Sequence, residues 1–329
     1  MAPYHHIVPR FYLANFALSG MIGRIELQYG ANRNKSVKKV GGMEGFYTVP
    51  EANDPEIFER ELFGKIENKA AKVFNKILTE DHWPLNEGDR SILSEYLAVQ
   101  FLRGRDKRNE QSELAASFNR LEAATKGKDA LRRQLQESSI EGITDVDFEE
   151  AWDAIIDPET KVQATALGHM RQLLSTLPAV TSCLSVRPWR LVRFARKTLL
   201  TCDTPIALVA PPNTPSFMGI GIGNAYRVLF PISRQCGLVM LTPDEQSGST
   251  REDLTAGRAD QEIAPTSRQA AQFNHYSIIN ARESIFFHPN DGNLIPDPLP
   301  QPRTQEMEAY GLEELIKELI EQGGLSAET

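Results

Sequence analysis

Three cysteines in 329 residues, Cys183, Cys202 and Cys236, are too few and too scattered for a disulfide framework or a thiolate zinc site. No run approaches the ~18 to 20 uninterrupted apolar residues that a membrane helix needs, so neither a spanning helix nor a membrane partner is expected. The opening residues have no apolar core of the signal-peptide kind: His5, His6 and Arg10 follow Met1 almost at once. A reducing cytoplasm is the expected location. HExxH and GxSxG are both missing, which removes the commonest zinc-protease and α/β-hydrolase arrangements. Positive charge is also short: 36 basic against 44 acidic residues give a net charge of −8, which argues against a DNA-coating protein.

The average hides an asymmetry. Residues 1–43 hold Arg10, Arg24, Arg33, Lys35, Lys38 and Lys39 against one acid, Glu26. Ser185 to Cys202 holds Arg187, Arg190, Arg193, Arg196 and Lys197 and no acid, whereas Glu141 to Glu159 carries only acids. Either these are solvated faces, or the two basic segments meet in a locally positive cleft.

With 41% hydrophobic residues the chain can bury a sizeable core. Arg24–Tyr29 alternates apolar and polar as a strand should, Gly30–Lys35 reads as a turn, and Val37–Tyr47 can return as a second strand. Asp54-Pro55 has the chemistry of a helix start, and helical spacing then runs to about Thr79. Asn86 or Asp89 begins the next helix, which ends near Gly104. Further helices are expected over 106–136, 146–156 and 159–177, punctuated by Pro158 and Pro178. After Pro188 short β-branched and aromatic runs read as sheet, followed by a helix over 266–283 and a strand over 284–287. The expected fold is α+β: a mostly antiparallel sheet, formed as one sheet from the N- and C-terminal segments (1–50 and 186–290), with a helical block (54–185) inserted between them. Residues 1–300 would be one domain. Residues 301–329 would be a Pro-rich linker and a tail helix, Tyr310 to Ile320, which packs loosely or engages another copy.

Four groups of residues could carry chemistry. His5 and His6 point opposite ways if extended, and Pro9 keeps the segment out of helix. One of them is a structural histidine, or a neutral imidazole acting as base or metal ligand, with Arg10 as an anion-binding fork. Tyr96, Gln100 and Arg103 share a helix face. Either Arg103 pairs with an acid such as Glu67 on the preceding helix, or Gln100 and Arg103 project into a pocket and hold an anionic or amide-bearing ligand. Asp203 follows an apolar strand and precedes Thr-Pro, a position suited to a catalytic acid and equally to a turn. Its neighbour Cys202 reads as a small buried hydrophobe. GIGIGN (219–224) fits no phosphate-loop pattern.

Several segments together resemble one family. HHIVPRFYLANF is similar to the opening signature of the domain of unknown function 4238 family. VKKVGGMEGFYTV, LAVQFLRGRDKR, LLTCDTPIAL, RVLFPIS and FNHYSIINARESIFF resemble further blocks in the same order. Cys202 stands where Ser is usual and Thr204 where Asn is usual. The resemblance implies His5, His6, Arg10, Gln100, Arg103, Asp203 and Asn274 as the polar candidates, and implies no reaction. Three functions stay open. The first is a nuclease-like hydrolase of a phosphate-containing substrate, with His5, His6 and Asp203 catalytic, Arg10, Gln100, Arg103 and Asn274 binding substrate, and room for a divalent metal. The second is a non-catalytic sensor of a nucleotide or another anion. The third is an interaction scaffold, with homo-oligomerisation through the tail helix. The expected geometry is a common cleft for the His pair, Arg103 and Asp203.

Overall fold

The computed structural model describes residues 3–50, 52–137, 145–215, 218–245, 248–303 and 311–323. The start of the acidic run, 141–144, and Tyr310 lie outside them. The protein is α+β. Its strands are β1 (Tyr4–His6), β2 (Met21–Glu26), β3 (Ala31–Ser36), β4 (Gly42–Glu44), β5 (Trp189–Arg193), β6 (Thr201–Cys202), β7 (Ala207–Val209), β8 (Arg227–Ser233), β9 (Cys236–Met240), β10 (Gln261–Ile263) and β11 (Ser284–Phe287). Its helices are α1 (Arg10–Ala14), α2 (Gly64–Leu78), α3 (Glu87–Leu102), α4 (Arg105–Lys126), α5 (Lys128–Glu137), α6 (Asp145–Ile156), α7 (Ala166–Ser185), α8 (Arg251–Thr255), α9 (Ser267–Asn280) and α10 (Leu312–Glu321). No helix among the described residues is long and apolar enough to cross a membrane.

The strands form three sheets where one was expected. β1 pairs β4; β10, β5, β9, β8 and β7 form a second sheet; β3, β2, β11 and β6 form a third. Only the third mixes the two ends of the chain. The cause is local pairing. β8 and β9 are separated only by Arg234 and Gln235 and pair at once, and β5 joins them through β9. All pairings are antiparallel except β10 with β5. The turn expected at 30–35 is earlier: the amides of Tyr29 and Gly30 close onto Glu26 O, and β3 begins at Ala31.

Two helix boundaries also moved. Asp54-Pro55 starts a turn, and a π-helical stretch, Phe58–Phe63, precedes α2. α7 begins at Ala166 and continues past Pro178 to Ser185. Proline removes one intrahelical bond, but Leu173, Val180 and Leu184 on this helix are buried in the core on both sides of it, and the helix continues. The alternative starts for α3 resolve at Asn86, whose Oδ1 accepts the Asp89 amide at 2.9 Å.

By compactness the chain divides into unit 1, Met1–Asp106 with Ala166–Thr304, and unit 2, Lys107–Thr165 with Gln305–Thr329. The inserted helical block is therefore shared between the units, and the tail groups with residues 107–165. In unit 2, Ile316 and Leu319 of α10 are buried with Ala124, flanked by Leu121. The apolar side on which the homo-oligomer reading relied is thus used within the chain.

The core of unit 1 is built around the N-terminal signature. Val8, Tyr12, Leu13 and Phe16 are fully buried. Tyr12 stacks on Phe230 at 5.1 Å between ring centres, and its hydroxyl donates to Pro231 O at 2.8 Å and contacts Thr201 Oγ1 at 2.6 Å. Gly41, at φ +70°, lets the chain pass close above Val8 and Leu13; a Cβ there would meet Leu13 Cδ1 at 2.9 Å.

A second polar anchor is Arg90, buried under Trp189 with its Cζ 4.1 Å from the ring centre. It donates to Asp260 at 2.7 Å and to the carbonyls of Ser185 and Arg187, also at 2.7 Å each. Asp260 in turn accepts the Trp189 amide at 2.8 Å. Removing either charge strands the other without water, so Asp260→Ala should destabilise by about 3–5 kcal/mol in urea denaturation. The double replacement Arg90→Met with Asp260→Leu should cost less than the sum of the single changes. The tail gives a second expectation. Deletion after Pro302 uncovers Ala124 and Leu121, so dye binding to apolar surface should rise while near-ultraviolet circular dichroism from the aromatic core of unit 1 is retained.

Candidate functional site

β1 alternates as extended chain must, and the two histidines part company. His5 is 1% exposed and faces inward. Its Nδ1 accepts the Tyr47 amide at 2.9 Å, so the proton sits on Nε2, which donates to Glu56. Glu56 also accepts from Thr48 Oγ1 at 2.8 Å. In this tautomer neither ring nitrogen of His5 has a lone pair left for a substrate or a metal. His6 is partly buried on the other side of the strand, and its buried Nε2 has no partner.

Arg103, at the C-terminus of α3, is fully buried. Nη1 donates to Glu67 at 2.6 Å, Nη2 to His6 O, and Nε to the Tyr47 hydroxyl at 3.3 Å. The Tyr47 hydroxyl donates back to Arg103 O at 3.0 Å, and the Phe63 ring lies 4.5 Å from the guanidinium carbon. The pairing with Glu67 is the structural alternative drawn from the sequence. It leaves the fork turned into the protein, so the expectation that Arg103 reaches a ligand loses its geometric basis. Burial works against the Arg103 charge, but Tyr47, Glu67 and Glu59 hold it more firmly protonated than usual. Burial pushes the Tyr47 hydroxyl to about 12 against the pull of Arg103. Glu59, beside this group on the π-helical stretch, has a buried Oε2 without a partner, and burial followed by Glu67 and Glu56 raises its pKa.

Asp203 sits at the end of β6 and gathers the turn before β11. Oδ1 accepts the Arg282 amide at 2.9 Å, and Oδ2 accepts those of Glu283 at 2.7 Å and Ser284 at 3.3 Å. Burial raises its pKa to about 6; the amides of Arg282 and Glu283 oppose the rise, and the charges of Glu283 and Asp106 add to it. Cys202 is buried and its thiol is pushed to about 12, chiefly by burial, which removes thiolate chemistry at neutral pH. Asn274 is spent on backbone: it accepts the Leu200 amide at 2.8 Å and donates to Thr198 O at 3.0 Å.

Gln100 and Asp203 do come together. They line one cavity with Phe101, Gly104, Asp106, Thr204 and Ile206. Neither histidine nor Arg103 lines it, so the common cleft drawn from the sequence separates into two neighbourhoods: the His5–Glu56–Arg103 network and the Gln100–Asp203 cavity. Glu56, Tyr47 and Asp106 belong to these neighbourhoods and escaped the sequence reading. No spacing links Glu56 to a histidine 51 positions away.

The basic segments do not both stay open. Arg187 donates to Ile222 O and Ala225 O at 2.9 Å each, Arg190 to Ala259 O at 2.6 Å, and Arg193 to Ile77 O at 2.8 Å and to Asp81 at 2.9 Å. Arg196 and Lys197 of this segment stay exposed, and so does the N-terminal group. Arg10 at the start of α1, and Lys38 and Lys39 in the short turn packed against it, are exposed and have no acid partner among the described residues. Among the described residues, no three His, Cys, Asp or Glu side chains are grouped to hold a metal.

The fold and these two neighbourhoods define an α+β protein whose signature residues chiefly secure its own N-terminal strand. The family profile described as protein of unknown function (DUF4238) matches residues 4–291, and the chain belongs to that family. Comparisons with curated proteins and with solved structures give no match.

His6 carries a measurable signature. Its pKa is lowered from 6.5 to about 4, first by burial, then by Arg10, against the pull of the Val37 backbone. The unfolded chain therefore takes up this proton at higher pH than the folded one. Stability from this group is full above the unfolded value and falls as the pH drops towards the folded value. Urea midpoints measured at about pH 7 and about pH 5 should fall less for His6→Asn than for the parent protein.

Proposed function

We propose that the protein is a non-catalytic binder of a phosphate-bearing ligand, a nucleotide or a short nucleic-acid strand, held at the N-terminal basic surface. One observation carries this reading. Arg10, Lys38 and Lys39 are exposed, lack acid partners among the described residues, and surround His6, whose buried Nε2 is unsatisfied. Ligand phosphate oxygens would accept charge-assisted hydrogen bonds worth roughly 1.5–3 kcal/mol each.

The hydrolytic reading draws on a different observation: the carboxyl of Asp203, with its pKa raised to about 6, faces a cavity. It is the weaker reading, because the three backbone amides on Asp203 and the Glu56 contact of His5 already engage the groups it needs.

Fluorescence anisotropy with a labelled nucleoside triphosphate and a labelled short RNA tests both. Binding should weaken steeply as salt rises, because exposed charges carry it. Arg10→Glu combined with Lys38→Glu should reduce affinity at least tenfold. The Asp203→Asn protein should bind like its parent. Equal binding by the charge-reversed protein would sink the proposal, and turnover lost in Asp203→Asn would replace it with the hydrolase.

A further inference from the structure

We infer that, given the phosphate reading above, the ligand of the basic surface is a single-stranded polynucleotide: one base stacks on Tyr4, and the phosphate backbone passes it from Arg33 and Lys35 to Lys38 and Arg10. Tyr4 is held in place and left open at once. The β1–β4 register sets Tyr4 opposite Glu44 and His6 opposite Gly42. The Tyr4 hydroxyl accepts the Gly42 amide at 3.1 Å, and its ring stands edge-on to the His6 ring at 5.1 Å between centres. A Cβ on Gly42 would come within 2.8 Å of Tyr4 Cε1, so the bare glycine is what lets the ring lie across the ribbon. Held in this way, the ring is still 38% exposed. Its rotamer freedom is already reduced, which lowers the entropy cost of stacking a flat partner on it. Every nucleobase has such a flat face.

Positive charge lies on both sides of the ring. On one side is the β2–β3 hairpin. Burial raises the pKa of the Tyr4 hydroxyl, while the Gly42 amide and the charge of Arg24 oppose the rise, so Arg24 lies close enough to act on it. In the β2–β3 register Arg24 is opposite Arg33 and Ile22 is opposite Lys35, which puts both cations of β3 on the sheet face of Arg24. Arg24 is spent on Glu26 at 3.1 Å and on Ser284 Oγ at 3.0 Å. Arg33 and Lys35 enter no ion pair among the described residues. On the other side of the ring is His6, on which, beyond burial, the Arg10 charge and the backbone of Val37 and Lys38 act.

β3 leads from Arg33 directly into the turn of Lys38, a strip roughly 15 Å long at ~3.3 Å per extended residue. A nucleoside triphosphate carries all its phosphates on one side of its base. A polynucleotide carries a phosphate on each side of every base, which is the charge pattern around Tyr4. A duplex keeps its bases stacked on one another and offers none to the ring. Glu44, exposed and opposite Tyr4, bounds the strip at the end of the ribbon and directs phosphates towards β3 and α1.

Fluorescence anisotropy on the full chain tests this with labelled single strands of about ten nucleotides, RNA and DNA in parallel, a duplex of the same sequence, and inorganic triphosphate as competitor. A single strand of either kind should bind at least tenfold tighter than the duplex. Tyr4→Ala should lower strand affinity at least about fivefold, the loss of one stacked base, and leave the inhibition constant of inorganic triphosphate unchanged. Tyr4→Phe, which keeps the ring, should bind as the parent does. Arg33→Glu combined with Lys35→Glu should weaken the strand at least tenfold, and it decides alone should Tyr4→Ala fail to fold. Strand binding left intact by Tyr4→Ala, or a duplex bound as tightly as a single strand, would overturn the polynucleotide assignment while triphosphate competition keeps the phosphate reading standing. Binding of neither oligonucleotide nor triphosphate would remove both.

Discussion

A guanidinium without water needs every one of its partners, and Arg103 is in that position. Its contacts reach α2 through Glu67, β1 through the carbonyl of His6, and the segment after β4 through Tyr47. The stacking of Phe63 beneath it draws in the π-helical stretch as well. A short two-stranded ribbon such as β1–β4 is marginal alone. Arg103 and the His5–Glu56 contact fasten it to the helices, and the fastening sets where His6 and Arg10 emerge. Coulomb attraction in a low-dielectric interior is strong only while the geometry is kept, so this network behaves as a unit.

Electrostatics then sorts the remaining polar groups by location. The interior cations Arg90, Arg103 and Arg187 are bound to carbonyls and carboxylates and so work on the fold itself. Exposed cations remain near His6 and at Arg196 and Lys197, and the Gln100–Asp203 cavity is lined by acceptors.

The sequence made the class and many of the elements readable, because periodicity and caps are local. Asn86, Thr266 and the alternation along β2 each act over a few residues. The number of sheets was not readable, since a strand's partner depends on which neighbour closes first. The helix through Pro178 was missed because tertiary packing outweighed one lost backbone bond. At the site, the motif logic located His5, Arg103, Gln100 and Asp203 and offered Glu67 as the partner of Arg103, but could not say what else faced them. Their partners are Glu56, Tyr47 and three consecutive amides at 282–284, and backbone amides leave no mark in a sequence.

The composition of unit 2 has a consequence for the order in which the chain matures. Arg120 of α4 meets Glu313 of α10 across 193 positions, and Ala124 is covered by Ile316 and Leu319. During synthesis α4 emerges long before α10. Domains generally fold as units in the order they are made, yet here the apolar stripe of α4 waits uncovered until the last helix arrives. A ribosome-bound chain therefore passes through a long interval in which that stripe is open to chaperones or to the wrong partner.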